Sequence, residues 1–172
     1  ERGIPILDAD AMGRAFPELQ MVTFHLDGMS PTPLVIADEK ENTTLLNTVD
    51  GFWAERIARN VTIQKGGSTS VAQYPISSQQ LRDSGIQGIL QLEEKIGQCI
   101  RLAKQQNLNP VDEILRITKG AELFKGKVTD IDRKTKTGFA KGIAKMEGFE
   151  QYKSKSFELH FQNEFLLGTL DG

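Results

Sequence analysis

Apolar residues recur at helical spacing through the middle of the chain. The clearest stripe consists of Ile89, Leu92, Ile96, Cys99 or Ile100, and Ala103. These positions share one side of a helix, which repeats about every 3.6 residues, so we predict a helix over residues 88–106. Asn109 and Pro110 predict a second, shorter helix, because Asn suits the cap and Pro the first turn. That helix is expected to end before Gly120.

A shorter apolar stripe follows Asp50. It consists of Trp53, Ile57 and Val61 at a spacing of four, with Ala54 and Ala58 beside them. This spacing predicts a helix whose first turn is capped by the Asp50 carboxylate. Ser77 followed by Gln80 has the pattern of a capping box, in which each side chain bonds to the other residue's backbone. It predicts another short helix.

Short strand patterns lie around these helices in the N-terminal half. We predict strands at residues 4–7, 21–26, 33–37, 43–47 and 68–74. The strand at 4–7 is expected to be buried, because it is an uninterrupted apolar run. The strands at 33–37 and 43–47 should form a hairpin, since only a charged turn separates them.

The pattern changes after Gly120. Strands are predicted at residues 127–133, 139–146, 157–161 and 165–170, with a turn at residues 134–138. Residues 157–161 alternate strictly between apolar and polar side chains, and the short connections predict an antiparallel meander. The fold class is therefore α+β, with a mixed N-terminal part of short strands and helices, a helical middle and an antiparallel, β-rich C-terminal part.

We place a domain boundary at this change of pattern. Residues 1–120 are interpreted as the C-terminal portion of a first, α/β domain that includes the helical segment. Residues 121–172 are interpreted as the start of a β-rich second domain. The chain opens without Met and enters an apolar run at once. Because natural termini are usually polar and loose, we expect an internal fragment of a longer protein.

Composition excludes several classes of protein. The formal net charge is -2 and the basic residues are dispersed, which argues against a nucleic-acid partner. Apolar runs are far shorter than the roughly 20 residues that span a bilayer, so no membrane segment is expected. The single cysteine, Cys99, fits a reducing compartment, and we expect a cytoplasmic protein.

Side chains that could carry chemistry are densest between residues 8 and 18. Asp8 and Asp10 follow a predicted strand, and Arg14 and Glu18 come shortly after them. Two carboxylates at a strand end could activate a water or hold a divalent metal ion through oxygen ligands. Arg14 could bind a carboxylate or polarise a carbonyl. The alternative is structural: one aspartate caps the following helix, and Glu18 pairs with Arg14.

Two further polar groups are candidates for binding a substrate. Glu55 and Arg56 lie on the helix predicted after Asp50, although Glu55 and Arg59 also have the spacing of an ordinary surface ion pair. The second group interrupts the apolar tail and consists of Gln162, Asn163 and Glu164. These three side chains could form a binding lip or a polar turn between strands.

Residues 4–21 carry a resemblance to a known family. Their sequence is IPILDADAMGRAFPELQM, which resembles the signature stretch of the S-methyl thiohydantoin desulfurase-like family, associated with hydantoinases and oxoprolinases. Further matches at Glu55-Arg56, at residues 124–128 and at residues 162–164 keep their order along the chain. One departure is Glu41-Asn42, where the family pattern has Gly-Asn, so the tight geometry of that turn is in doubt.

The resemblance implies action on five-membered cyclic ureides or their S-methyl thio analogues, as part of a hydrolase or desulfurase. That chemistry needs an activated water and donors to the ring. Our candidates for catalysis are Asp8, Asp10, Arg14 and Glu18, and our candidates for substrate binding are Glu55, Arg56, Gln162, Asn163 and Glu164. A divalent metal is a candidate cofactor, with Asp8 and Asp10 as its ligands. The alternative is a non-catalytic binding or assembly module that is fused to, or partnered with, an ATP-dependent hydantoinase or oxoprolinase. A homo-oligomer is compatible with either function.

Overall fold

The computed structural model describes residues 3–136 and 138–171, in which helices and antiparallel strands form an α+β fold. The first half contains β1 (Ala9–Asp10), α1 (Thr23–Leu26), β2 (Leu34–Ala37), β3 (Thr43–Leu46), α2 (Gly51–Gln64), β4 (Ser70–Ala72), α3 (Ser78–Ser84) and β5 (Ile86–Gln87). The second half contains α4 (Ile89–Gln105), α5 (Pro110–Thr118), β6 (Gly126–Lys136), β7 (Phe139–Gly148), a 3-10 turn (Glu150–Tyr152), β8 (Ser156–Gln162) and β9 (Glu164–Leu170). The predicted fold class is confirmed.

A small core lies between a three-stranded sheet and α2. The sheet has the order β3-β2-β4, and all its pairs are antiparallel. Leu34 and Ile36 alternate onto one face of β2 and are both 0% exposed, as the period of two along a strand requires. Ala58 of α2 packs against them, and Leu19 fills the edge of the cluster. The predicted hairpin of β2 and β3 is confirmed.

The turn of that hairpin keeps its tight geometry without glycine. Glu41 adopts the left-handed backbone conformation, with φ of 66°, which costs a non-glycine residue free energy. Asp38 offsets this cost, because its Oδ1 accepts hydrogen bonds from the backbone N–H groups of Lys40 at 3.0 Å and Asn42 at 2.9 Å. The side-chain hydrogen bond from Asn42 also holds the pKa of Asp38 below its ordinary value.

The four C-terminal strands form an antiparallel sheet in the sequential order β6-β7-β8-β9. The predicted meander is therefore confirmed. Its register sets Ile131, Ala144 and Leu159 side by side on one face, where they form a continuous apolar row. Phe124 stacks on Phe157 on this sheet, with ring centroids 5.0 Å apart. Thr137, which belongs to the predicted turn at residues 134–138, lies outside the described residues, and β6 extends to Lys136.

The helix caps follow the sequence signals. Asp50 accepts a hydrogen bond from the Trp53 N–H at 2.8 Å and begins α2. Ser77 and Gln80 form a complete capping box at α3. Asn109 accepts from the Val111 N–H at 3.0 Å and begins α5. The helix predicted over residues 88–106 is α4, Ile89–Gln105. These predictions are confirmed because each cap involves residues only two or three positions apart.

Two predicted strands are wrong. Residues 4–7 form no strand, and the side chains of Ile4 and Ile6 are 74% and 85% exposed. The sheet pairing instead comes two residues later, where β1 (Ala9–Asp10) pairs with β5. The strand predicted at residues 21–26 is instead the short helix α1. Its Phe24 is buried against Tyr74, with ring centroids 5.7 Å apart, so a tertiary contact overrides the weak local alternation.

Candidate functional site

One face of α2 lines a cleft of about 400 Å³. The lining residues of this helix are Phe52, Glu55, Arg56, Arg59, Asn60 and Ile63. They recur at spacings of three and four, which places them on one side of a helix. The other walls come from Glu18 and Gln20 of the stretch before α1 and from Phe139 at the start of β7. We call this space the α2 cleft.

Glu55 holds one wall of the cleft against another. Its side chain is buried, and the whole residue is 6% exposed. One carboxylate oxygen, Oε1, accepts a hydrogen bond from Arg59 Nε at 2.7 Å, and the other accepts from the Leu19 N–H at 2.9 Å. Arg59 in turn donates to the Pro17 carbonyl at 2.8 Å. The Glu55–Arg59 pair therefore holds residues 17–20 against α2. Its spacing of four residues had suggested an ordinary solvent-exposed ion pair.

Glu18 is positioned by two amide side chains. Its Oε2 accepts from Gln20 Nε2 at 2.6 Å, and its Oε1 accepts from Gln162 Nε2 at 2.9 Å. An ionised carboxylate only accepts hydrogen bonds, so each amide must turn its nitrogen toward Glu18, which assigns both amide orientations. Gln162 ends β8, 144 positions further along the chain. Two groups predicted separately from the sequence therefore meet at Glu18.

Phe139 forms the aromatic part of the wall. The Arg59 guanidinium lies 4.1 Å from the centroid of its ring, a cation–π contact that also fixes the arginine. Gly138, immediately before it, has φ of +80°, and a Cβ atom there would lie 2.9 Å from Arg59 Cδ. The positive φ favours glycine at this position, and an added Cβ would also force the side chains of Arg59 and Ile63 to shift.

Arg56 differs from Arg59 in having no anionic partner within the described part of the chain. Its guanidinium lies 5.2 Å from the Trp53 ring centroid, one helical turn earlier. No carboxylate in residues 3–136 or 138–171 lies within 4.0 Å of it. The residue is exposed. Arg56 thus presents a cation at the cleft that no carboxylate of the described residues neutralises.

The two predicted aspartates support the backbone near β1. Asp8 Oδ1 accepts hydrogen bonds from the backbone N–H groups of Leu90 at 2.8 Å and Gln91 at 3.3 Å, and so caps α4, whose own cap residue is glycine. Asp10 Oδ1 accepts from the N–H groups of Met12 and Gly13, at 3.1 and 2.9 Å. These aspartates are not among the residues that line the α2 cleft. Their catalytic role stays a prediction.

The other predicted residues do not line the α2 cleft: Arg14, Asn163 and Glu164. Arg14 donates to the Phe165 carbonyl at 2.9 Å and does not pair with Glu18. Asn163 lies in the turn between β8 and β9 with a backbone φ of 57°, and its Oδ1 ties this turn to β7 by accepting from the Ala140 N–H at 2.9 Å. Glu164 begins β9. Of the predicted residues, the structure therefore brings Glu18, Glu55 and Arg56 into one cleft, with Gln162 bonded to Glu18.

A protein metal site usually requires several ligating side chains close together. Among the described residues, no three His, Cys, Asp or Glu side chains are grouped so that they could hold a metal ion. A metal at Asp8 and Asp10 would need further ligands, and it stays a prediction.

The described helices are all too short or too polar to cross a bilayer.

Six residues that line the cleft were not proposed from the sequence: Gln20, Phe52, Arg59, Asn60, Ile63 and Phe139. A usable signal existed for the arginine, because residues 52, 55, 56, 59, 60 and 63 form a second stripe on α2, opposite the small apolar residues. No local signal could have found Gln20 or Phe139, because they reach the cleft from separate parts of the chain.

Two family models together match the entire chain. The S-Me-THD-like N-terminal domain matches residues 1–48, and the S-Me-THD-like C-terminal domain matches residues 49–172. Glu18 and Gln20 belong to the first match, whereas α2, Phe139 and Gln162 belong to the second, so the cleft lies where the two matches meet in space. Clefts between domains are common ligand sites. The domain boundary predicted at residue 120 stays a prediction.

A solved protein from Chromobacterium violaceum, a structural-genomics target, has a similar fold. The TM-score is 0.69 and the sequence identity 23%, over 98% of this chain and 45% of that one. The chain thus spans less than half the length of that protein. No curated protein matches the chain.

Proposed function

The chain belongs to the S-Me-THD-like family, and from that premise we propose that the α2 cleft binds a five-membered cyclic ureide or its S-methyl thio analogue for a hydrolase-type reaction. The observation that carries this proposal is the Glu18 carboxylate, held between Gln20 and Gln162 in a cleft of about 400 Å³. That volume suits a small-molecule ligand.

The cleft offers the groups that such a ring requires. Ring N–H groups would donate to the carboxylate of Glu18, and the guanidinium of Arg56 would donate to an oxygen acceptor of the ligand. Phe52 is exposed and offers a flat apolar surface for a face of the ring, whereas the Phe139 ring is buried beneath Arg59. Because Gln20 and Gln162 hold Glu18 in place, little freedom is lost when a ligand binds to it.

The reaction itself has a defined balance. Water attacks the ring carbon that carries the methylthio group, and the new C–O bond replaces the C–S bond. One proton of the water passes to the ring nitrogen and the other to the leaving thiolate, so the products are a hydantoin and methanethiol. A carboxylate near the ring can take and return the proton, and an arginine can stabilise charge on the ring. We assign the proton transfers to Glu18, and Arg56 lines the same cleft.

Replacing Glu18 by glutamine is expected to weaken hydantoin binding about tenfold, because a charge-assisted hydrogen bond becomes a neutral one. Isothermal titration calorimetry with hydantoin and with S-methyl thiohydantoin measures the change. Glu93→Gln, on the exposed side of α4, is the matched control and should leave the affinity unchanged. Equal affinities of wild type and Glu18→Gln, or no binding of either ring, would refute the proposal.

Turnover separates an enzyme from a binding module. We expect the protein to release methanethiol from S-methyl thiohydantoin, as detected with a thiol reagent. Asp8→Asn and Asp10→Asn remove the charge of each predicted aspartate and keep its structural role, because an asparagine oxygen can still accept the same backbone hydrogen bonds. Loss of turnover with an unchanged fold would assign chemistry to that aspartate. Unchanged turnover would remove it from the reaction.

A non-catalytic assembly module is the second candidate, favoured by the edge of the C-terminal sheet. β9 pairs only with β8 in the described sheet and carries the exposed side chains Phe165, Leu166, Leu167 and Leu170. Apolar edge strands invite pairing with another chain. Ring binding without any thiol release, together with assembly onto a purified ATP-dependent hydantoinase or oxoprolinase, would support this function over catalysis.

A further inference from the structure

The charges of the α2 cleft do not all cancel within the protein. Glu55 and Arg59 form a close ion pair at 2.7 Å. Glu18 has two neutral donors, Gln20 and Gln162. Arg56 lies on the same lined face of α2 but has no carboxylate within 4.0 Å among the described residues. The cleft therefore has a fixed acceptor, Glu18, on one wall and, on another, a cation that pairs with no described carboxylate.

The surroundings of Arg56 favour an external anion as its partner. Trp53 supports the guanidinium from one side, with 5.2 Å between the guanidinium carbon and the ring centroid. Asn60, the neighbouring polar residue of the stripe, uses its amide nitrogen on the Arg56 carbonyl at 2.8 Å. Neither contact involves a hydrogen bond from the N–H donors of the Arg56 guanidinium. Their planar, forked arrangement can bind both oxygens of a carboxylate.

We propose that the ligand of the α2 cleft is a cyclic ureide with a carboxylate substituent, and that Arg56 binds this carboxylate while Glu18 accepts a ring N–H. The inference rests on the proposed function and specifies its substrate class. A neutral ring could enter the cleft in several orientations. A ring with a carboxylate arm is held in one, because Glu18 repels the arm and Arg56 attracts it.

The test compares three ligands that share one ring: hydantoin-5-acetic acid, its methyl ester and hydantoin. Titration calorimetry at low salt should give about tenfold tighter binding for the acid than for the ester. The advantage should shrink as salt is raised, because Arg56 is exposed to solvent. In Arg56→Gln the acid and the ester should bind alike. Arg56→Lys, which keeps the charge but loses the fork, should retain part of the preference.

Arg101→Gln is the matched control, since Arg101 is an exposed arginine on α4. It should leave the preference for the acid intact. Thermal unfolding of each variant checks that the fold is preserved, and Arg56→Lys serves if Arg56→Gln does not fold.

The possible results distinguish a failure of this inference from a failure of the proposed function. Equal binding of acid and ester by the wild type overturns the inference, while hydantoin binding that depends on Glu18 would leave the proposed function standing. A preference for the acid that survives in Arg56→Gln overturns the assignment to Arg56. If none of the three rings binds, both the inference and the proposed function are overturned.

Discussion

Replacing Glu55 by alanine is expected to lower the free energy of unfolding by about 4 kcal/mol, since a buried ion pair loses one partner. The change leaves the Arg59 guanidinium without its anion at 2.7 Å and the Leu19 N–H without its acceptor at 2.9 Å. Glu55→Gln should cost less, because its amide oxygen can still accept from Leu19. Urea denaturation followed by circular dichroism measures the difference.

The control for this prediction is Glu93→Ala, an exposed glutamate of α4. Its effect should stay within about 0.5 kcal/mol, as for most surface substitutions. A loss of less than about 1 kcal/mol in Glu55→Ala would mean that the pair behaves as a surface ion pair. The role assigned to Glu55 in pinning residues 17–20 would then be wrong.

Leu34→Ala is expected to cost about 3 kcal/mol of stability, because the substitution leaves a cavity that the small core cannot close. Leu34 is 0% exposed, and its cluster includes Ile36 and Ala58. Leu45→Ala on the adjacent strand removes the same atoms from a side chain that is 63% exposed. It should cost about 0.5 kcal/mol or less. Comparable losses in the two variants, measured by urea denaturation, would contradict the assignment of this core.

The core and the cleft share the stretch of residues 17–20. Leu19 packs its side chain against the Leu34 cluster and donates its N–H to Glu55. Its neighbours Glu18 and Gln20 line the cleft. We therefore expect substitutions that loosen this core to disturb ligand binding as well, although no residue of the Leu34 cluster lines the cleft.

Several features of the fold follow from neighbouring residues alone. The Asp50, Ser77 and Asn109 caps involve groups within one turn of helix, so adjacent positions suffice to predict where these helices begin. The stripe at residues 89–103 and the alternation at residues 157–161 likewise encode α4 and β8. The motif at residues 4–21 was enough to identify the family, because it is a contiguous string of side chains.

Other features depend on contacts between distant parts of the chain. In sequence, Glu55 and Arg59 cannot be distinguished from a solvated pair, and only packing against Pro17 and Leu19 buries the glutamate. Residues 4–7 have the composition of a buried strand, yet in the structure they are exposed.

The sequence by itself determined the family, the fold class and most helices, since these depend on spacing and capping within a few residues. The tertiary structure alone decided which polar residues share a cleft. Glu18 and Gln162 are 144 positions apart, and no local pattern records that they meet. Their contact arises because the C-terminal sheet and α2 pack on either side of one short stretch, and packing depends on the whole chain.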